Sequence, residues 1–151
     1  MVNIERIEAD TTLMLEWIAK QREVSARGRG SGNPRGAQYT ISANNPIFRP
    51  LVNMIELIAK QHSNKFRISD IWVNYSPPGC INGPHNHVGA TIAGCYYLTV
   101  PDNSGKIEFE TGESIMPNAG DLFYWDAGII HWVNENESNH DRISIAFNIS
   151  Y

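Results

Sequence analysis

The stretch RISIAFNI at residues 142–149 decides the fold of this chain more clearly than any other. Side chains of an extended strand alternate between two faces. The polar or small residues at 142, 144, 146 and 148 therefore share one face, and the apolar residues between them share the other. The alternation predicts a β-strand, but it does not decide which face is the interior.

The same alternation runs from residue 66 to the end of the chain. Glycine- and proline-rich turns divide it into further predicted strands at 68–75, 91–100, 106–110, 121–125 and 129–133. Helical spacing before it predicts one helix at 11–24 and a second from Pro46 or Pro50 to about Gln61. The chain is therefore expected to be one mainly β domain over 1–151. Its helical part is expected at about 1–65 and its sandwich or barrel at about 66–150, with both helices packed outside.

Composition narrows the function classes. The 151 residues carry a net charge of −4, which argues against a nucleic-acid binder that relies on a basic surface. No apolar run approaches the ~20 residues that cross a membrane, and residues 1–10 lack the apolar core of a signal peptide. Two cysteines make no disulfide framework. The expectation is a cytoplasmic protein with reduced thiols and neither a nucleic-acid nor a membrane partner.

Three histidines form the candidate functional centre. His85 and His87 follow the turn at 82–84, and as i and i+2 residues of an extended segment they point to one face. His131 lies 44 residues beyond His87 in another predicted strand. Imidazole is the commonest protein ligand for first-row metals, so the set predicts a mononuclear metal site. The alternative is that each histidine is an ordinary hydrogen-bonded polar residue.

Arg142 and Ser144 lie on one face of the last predicted strand. If that face is the interior, a buried guanidinium requires an anion, and its planar fork suits a carboxylate. If it is the solvent side, the pair carries no such meaning.

These residues, taken in order, resemble the Fe(II)/2-oxoglutarate-dependent oxygenases. The likeness covers roughly residues 68–150 and is closest to a branch of small oxygenases, while the prolyl-hydroxylase part of the superfamily is similar from His85 onward. The matching positions are Trp72, Asn74, Pro78-Gly79, Asn82, His85, His87, Tyr96-Tyr97-Leu98, Ser104-Gly105, Ile107, Phe109, Pro117, Gly120-Asp121-Leu122, His131, Arg142 and Ser144.

The resemblance implies a double-stranded β-helix, the jelly-roll or cupin-like barrel. It implies that His85 and His131 bind iron, and that Arg142, Ser144 and Tyr97 bind the distal carboxylate of 2-oxoglutarate. For Tyr97 the alternative is an aromatic residue of the barrel core. The implied cofactor is Fe(II), with 2-oxoglutarate and O2 as co-substrates. The implied reaction is hydroxylation of a substrate C–H bond with release of succinate and CO2.

One departure from the superfamily pattern concerns the metal. The usual motif is His-x-Asp or His-x-Glu, and this chain has His87 in place of the carboxylate. We interpret His87 as the third ligand. The alternatives are a carboxylate from elsewhere, such as Asp126 or Glu108, or altered iron chemistry. Three neutral imidazoles leave the centre one positive charge higher than two imidazoles and a carboxylate, which favours an anionic co-substrate.

Two other functions fit the same predicted architecture. One is a three-histidine cupin dioxygenase or isomerase that does not use 2-oxoglutarate, with Arg142 binding the substrate's own carboxylate. The other is a non-enzymatic jelly roll that binds metal or carbohydrate, with Trp125 and Trp132 as a stacking surface.

The substrate is expected to be peptidyl or a small molecule, and the sequence does not separate them. Candidate substrate-contacting residues near the barrel mouth are Asn74, Tyr75 and Trp125, together with the arginine-containing loop at 27–35. The favoured interpretation of that loop is a solvated connector, and the alternative is a lid whose arginines meet an acidic substrate. The short helical part leaves room for a partner chain or a homodimer to complete the site.

Overall fold

The computed structural model describes residues 1–24 and 36–151, which form two antiparallel sheets and two α-helices. The larger sheet has the strand order β1-β8-β5-β10-β3-β2 and the smaller one β4-β9-β6-β7. The elements are β1 (Asn3–Arg6), α1 (Thr12–Val24), β2 (Ala37–Thr40), a 3₁₀ turn (Pro46–Phe48), α2 (Arg49–His62), β3 (Arg67–Ser76), β4 (Asn82–His85), β5 (Ile92–Thr99), β6 (Ile107–Phe109), β7 (Ser114–Ile115), β8 (Asp121–Asp126), β9 (His131–Val133) and β10 (Arg142–Ser150).

Both helices cover one face of the larger sheet. Met14 and Ile18 of α1 and Leu51 and Ile55 of α2 are buried in one apolar cluster. The sheet contributes residues of β10 such as Phe147 to the same cluster. Burying these side chains gives the amphipathic helices the stabilisation that short helices lack in water.

A second apolar cluster includes residues from both sheets. Tyr97 and Phe123 come from the larger sheet and Phe109 from the smaller one, and all three are buried. With helices on one face and a second sheet facing the other, the architecture is the predicted double-stranded β-helix with its helices outside. The fold expectation is confirmed.

The short edge elements differ from expectation. β1, β2 and β7 have two to four residues each and had not been predicted as strands. β9 begins at His131, whereas the expected strand began at 129. Two to four residues carry too little alternation to be recognised, so their pairing is decided by the neighbouring long strands.

The structure decides which face of β10 is internal. Arg142 and Ser144 are 4% and 6% exposed and lie on the face opposite Ile145 and Phe147, which pack against the helices. The solvent-side alternative for the Arg142 face is therefore wrong. β10 lies between β5 and β3 near the centre of the larger sheet, so its polar face looks into the interior.

No helix in the described parts of the chain is long and apolar enough to cross a membrane. Cys80 and Cys95 are both buried and do not form a disulfide with each other.

Candidate metal centre

Three imidazoles converge at one end of the space between the sheets. His85 of β4 lies directly opposite His131 of β9 in the strand register. His87 follows β4 and is held by its backbone N–H, which donates to the carbonyl of Ala127 at 2.9 Å. One nitrogen from each of the three rings lies within 4.8 Å of the others, and the Nε2 atoms of His87 and His131 are 3.3 Å apart.

Backbone carbonyls determine the tautomers of two of these histidines. The Nδ1 atom of His85 lies 2.7 Å from the carbonyl oxygen of Gly83, and that of His131 lies 3.1 Å from the carbonyl oxygen of Ile129. A carbonyl oxygen only accepts, so each Nδ1 carries the hydrogen. Each Nε2 then presents a lone pair to the centre of the cluster.

The tautomer of the third histidine, His87, is determined by the carboxylate of Asp70, to which it is linked through Asn148. Asp70 accepts from Nδ2 of Asn148 at 3.2 Å, and an ionised carboxylate cannot donate. Asn148 must therefore direct Oδ1 towards Nδ1 of His87, 2.7 Å away, which donates to it. This hydrogen-bonded support resembles the outer contacts that orient metal-binding histidines in proteins. The Nε2 lone pair of His87 also faces the cluster.

Burial favours the neutral form of His87 and His131. It lowers the pKa of His131 to about 4, with smaller lowering contributions from the neighbouring His85 and His87. The pKa of His87 is also lowered, chiefly by burial. The lone pairs of the three rings converge on one point, where they repel one another unless a cation lies between them. The donor set therefore fits a first-row divalent metal ion with open coordination positions.

A cavity of about 550 Å³ extends from the histidines to Arg142, a size typical of small-ligand sites. Among the residues that the structure describes, no lysine, aspartate or glutamate lines its wall. Apart from the histidines, the ionisable lining residues are Arg142, Tyr97, Cys80 and Cys95. The cavity therefore has a candidate metal site at the three histidines and a candidate anion site at Arg142.

Arg142 is buried without a carboxylate partner in the described parts of the chain. Its Nη1 donates to the carbonyl of Gly105 at 2.8 Å, and its guanidinium lies 5.3 Å from the ring centre of Tyr97. Gly105 has φ +99°, and a Cβ there would lie 2.2 Å from the carbonyl oxygen of Asn134, so only glycine fits. The same Nη1 also donates to the carbonyl of Ser104 at 3.4 Å, and these two carbonyls leave most of the guanidinium donors and its charge uncompensated.

Buried polar atoms around the cavity also lack partners. The hydroxyls of Tyr97 and Ser104 and the indole nitrogen of Trp125 make no hydrogen bond at normal geometry to the described residues. Burial raises the pKa of Tyr97 well above 10, so the phenol stays protonated and can donate. Unpaired buried polar groups cost free energy, which a ligand in the cavity would recover.

The sequence-predicted site residues do not all meet here. The cavity wall includes the three histidines, Arg142, Ser144, Tyr97, Asn74 and Trp125. Tyr75 is a correction, because its hydroxyl donates to Asp141 and its ring lies under the guanidinium of Arg22, away from the cavity. Asn74 and Tyr75 are consecutive strand residues, so they face opposite ways. The 27–35 loop lies outside the described residues.

Two alternatives to His87 as a ligand find no support in this arrangement. The carboxylate of Asp126 accepts from the backbone of Gly128 at 2.8 Å, and that of Glu108 accepts from Ser114 and Asn134. Neither residue lines the cavity, and neither does Trp132 of the proposed stacking surface. Trp125 is buried and does line the cavity, and the centres of its ring and the His131 ring are 4.8 Å apart.

Sequence reasoning missed Asn148, Asp70, Gln38 and the Ser104 hydroxyl as parts of the site. Asn148 was recognisable as sharing a strand face with Arg142. The other contacts join residues distant in sequence, for which the chain offers no local signal.

The chain matches known proteins in two ways. Residues 70–117 match the model of the family described as "Putative 2OG-Fe(II) oxygenase". No curated protein matches the sequence. Three similar solved structures share 14–15% sequence identity with the chain. Similarity at that level of identity shows a common fold.

The first of these structures is a prolyl hydroxylase from Trichoplax adhaerens in complex with a hypoxia inducible factor oxygen degradation domain peptide. Its TM-score is 0.79 at 15% identity, covering 99% of this chain and 83% of that one. The second is a viral collagen prolyl hydroxylase from Paramecium Bursaria Chlorella virus-1 in complex with 2OG, with a TM-score of 0.73 at 15% identity and coverage of 97% and 94%. The third is SnoN, a non-heme alpha ketoglutarate dependent epimerase from nogalamycin biosynthesis, with a TM-score of 0.73 at 14% identity and coverage of 99% and 76%.

Proposed function

We propose that this chain, which the family match and the shared fold assign to the 2OG-Fe(II) oxygenase superfamily, is an Fe(II)- and 2-oxoglutarate-dependent dioxygenase that hydroxylates a substrate C–H bond. One observation carries the proposal. A single cavity brings together three converging histidine lone pairs and a buried guanidinium with no carboxylate partner among the described residues. Hydroxylation is proposed because prolyl hydroxylases are among the similar structures, which also include an epimerase.

His85, His87 and His131 would hold the iron through their Nε2 atoms. When bound, Fe(II) with 2-oxoglutarate and O2 supplies the oxidising chemistry, with succinate and CO2 as co-products. The protein's own contribution is to fix the three rings. The carbonyls of Gly83 and Ile129 hold two of them, and Asn148 holds the third.

Asp70 compensates in part for the carboxylate that the metal-binding motif lacks. Its charge reaches His87 through Asn148 and makes that imidazole a better donor. The metal keeps the extra positive charge of a three-histidine set, which favours binding of a dianionic co-substrate.

Arg142, Tyr97 and Ser144 would bind the distal carboxylate of 2-oxoglutarate. Arg142 supplies the buried charge, and the protonated Tyr97 hydroxyl is free to donate a hydrogen bond. Ser144 lies opposite Tyr97 in the register of β10 and β5, so both reach the same region. Charge-assisted hydrogen bonds of this kind are the strong ones in a dry site.

The test of this function is anaerobic addition of Fe(II) and 2-oxoglutarate to the purified protein. A keto-acid chelated to Fe(II) gives a weak visible metal-to-ligand charge-transfer band. We expect this band to appear and to decay when O2 is admitted, with succinate as product. Iron binding without the band, together with O2 consumption indifferent to 2-oxoglutarate, would favour the three-histidine dioxygenase or isomerase instead. Tight metal binding without turnover would favour a non-enzymatic jelly roll.

Replacing Asn148 by alanine should weaken metal binding while leaving the three ligands in place. Loss of an outer hydrogen bond to a ligating histidine costs about 10- to 100-fold in metal affinity, and we expect an effect in that range, measured by competition with a chelator. Asn148→Asp retains an acceptor for Nδ1 of His87 and should bind metal better than Asn148→Ala. Asn118→Ala, at an exposed position outside the cavity, is the matched control. An unchanged metal affinity in Asn148→Ala would contradict the assigned support.

A further inference from the structure

Two carboxamides in the cavity wall are locked into one orientation. Gln38 of β2 and Asn74 of β3 face each other across the strand pair, and Nε2 of Gln38 donates to Oδ1 of Asn74 at 3.0 Å. The indole nitrogen of Trp72 donates to the same Oδ1 at 3.2 Å. Trp72, two residues before Asn74 in β3, therefore fixes the orientation of the Asn74 carboxamide.

The indole decides which atom of each amide is which. An indole N–H only donates, so the atom of Asn74 that receives it must be oxygen. The Gln38 atom facing that oxygen must then be its NH2 group. This leaves Nδ2 of Asn74 as a donor and Oε1 of Gln38 as an acceptor, and neither forms a hydrogen bond with residues 1–24 or 36–151.

The pair lies beside the proposed iron site. The Trp72 ring stacks on His87, with ring centres 5.9 Å apart and an angle of 26° between the planes. Gln38, Trp72 and Asn74 line the same cavity as the histidines. A group bound to the pair would thus lie in the same cavity as the reactive centre.

The rest of the cavity wall has the same neutral, hydrogen-bonding character. Of its described residues only Arg142 carries a permanent charge, and the proposed co-substrate would neutralise it. Carboxamides are frequent in the wall, at Gln38, Asn74, Asn82, Asn86, Asn134, Asn136 and Asn148. Such a surface favours an uncharged substrate rich in donors and acceptors over a charged one.

We propose that Gln38 and Asn74 form a binding site for an amide group of the substrate. Nδ2 of Asn74 donates to the amide carbonyl, and Oε1 of Gln38 accepts from an amide N–H. The inference rests on the proposed function for its reactive centre, and it names the substrate class of the same cavity. It adds a specificity-determining role for Gln38, which contacts the substrate without contacting the metal ligands.

Two sources offer this chemistry. One is an extended peptide, in which the N–H and C=O of a single residue point to the same side of the chain. The other is a small molecule with a primary carboxamide. The probes are N-acetyl-alanine methylamide for the first source and propanamide for the second. A version of the alanine probe methylated at the alanine nitrogen lacks the N–H that Gln38 accepts.

The experiment follows the side-chain amide NMR signals of Asn74 and Gln38 in the full chain loaded with Zn(II) and 2-oxoglutarate. We expect the signals of both residues to shift on adding the better of the two probes, and its identity distinguishes peptide from small-molecule substrates. The N-methylated probe should bind about tenfold more weakly than its parent, the cost of one unpaired hydrogen-bonding group.

Asn74→Asp is the most discriminating variant. It keeps an oxygen for Trp72 and Gln38 but replaces the free donor by an acceptor, so probe affinity should fall by at least about tenfold. Asn118→Asp adds the same charge at an exposed position and should bind like the wild type. In Gln38→Leu, which lacks the acceptor, the parent and N-methylated probes should bind equally, and this second variant guards against a folding defect in the first.

The inference is overturned if neither probe shifts these signals, or if Asn74→Asp binds the probe as tightly as the wild type. Metal and 2-oxoglutarate titrations on the same samples separate this failure from failure of the proposed function. If those ligands bind and the probes do not discriminate, only the amide site fails. If the amide probe binds in the expected pattern but metal and 2-oxoglutarate do not bind, only the proposed function fails.

Discussion

We expect His131→Ala to abolish iron binding and, with it, turnover. His131 is 4% exposed, its Nε2 lies 3.3 Å from that of His87, and its ring packs against Trp125. Removing it leaves two imidazoles, with no carboxylate in the described cavity wall to replace the lost ligand. Since loss of an outer contact alone costs about 10- to 100-fold, loss of a ligand should cost more than about 100-fold in metal affinity.

Calorimetric titration with Fe(II) under anaerobic conditions and a succinate assay measure the two losses separately. His140→Ala is the matched control, because His140 is exposed and lies outside both the cluster and the cavity wall. It should bind iron and turn over like the wild type. Normal succinate production by His131→Ala would refute the assignment of the metal centre.

We expect Arg142→Ala to weaken 2-oxoglutarate binding and to leave metal binding intact. The guanidinium is the only permanent positive charge in the described cavity wall, and it lies outside the group of three histidines. Removing a buried partner of a carboxylate costs several kcal/mol, so the dissociation constant for 2-oxoglutarate should rise by about 100-fold or more. The measurement is the charge-transfer band followed as 2-oxoglutarate is added to the iron-loaded protein.

One further variant separates the charge of Arg142 from its shape, and a second is the control. Arg142→Lys keeps the charge but loses the planar fork, so it should lie between the wild type and Arg142→Ala. Arg67→Ala removes an exposed arginine at the start of β3 and should not change 2-oxoglutarate binding. If Arg142→Ala leaves 2-oxoglutarate binding unchanged but raises KM for the substrate, Arg142 binds the substrate's carboxylate. That result would support the three-histidine cupin dioxygenase or isomerase instead.

Much of the fold could be predicted because long strands carry many alternating residues. β3, β5, β8 and β10 each span six or more residues, and each overlaps an expected strand. The second helix was expected to begin at Pro46 or Pro50. A 3₁₀ turn occupies 46–48 and α2 begins at Arg49, so the two prolines belong to successive elements. Prolines favour the first turn of either kind of helix, and their spacing alone cannot distinguish one element from two.

The candidate site was only partly predictable, for a related reason. Histidine spacing indicated three converging rings, and the motif order suggested Arg142 and Tyr97. Tyr75 lies outside the cavity because adjacent strand residues face opposite sides, and Asn74 faces the interior. Ser104 was missed because an unpaired hydroxyl becomes visible only when its surroundings are known.

By itself the sequence determined the β-rich architecture, the outer position of the helices and the histidines that could meet, because periodicity and turn residues are local properties. The tertiary structure decided three further points. It showed that the Arg142 face of β10 is internal, that Asp70 supports His87 through Asn148, and that Trp72 orients Gln38 and Asn74. Each depends on strands brought side by side from distant parts of the chain. Alternation defines two faces, but only the elements packed on each face decide which one water reaches.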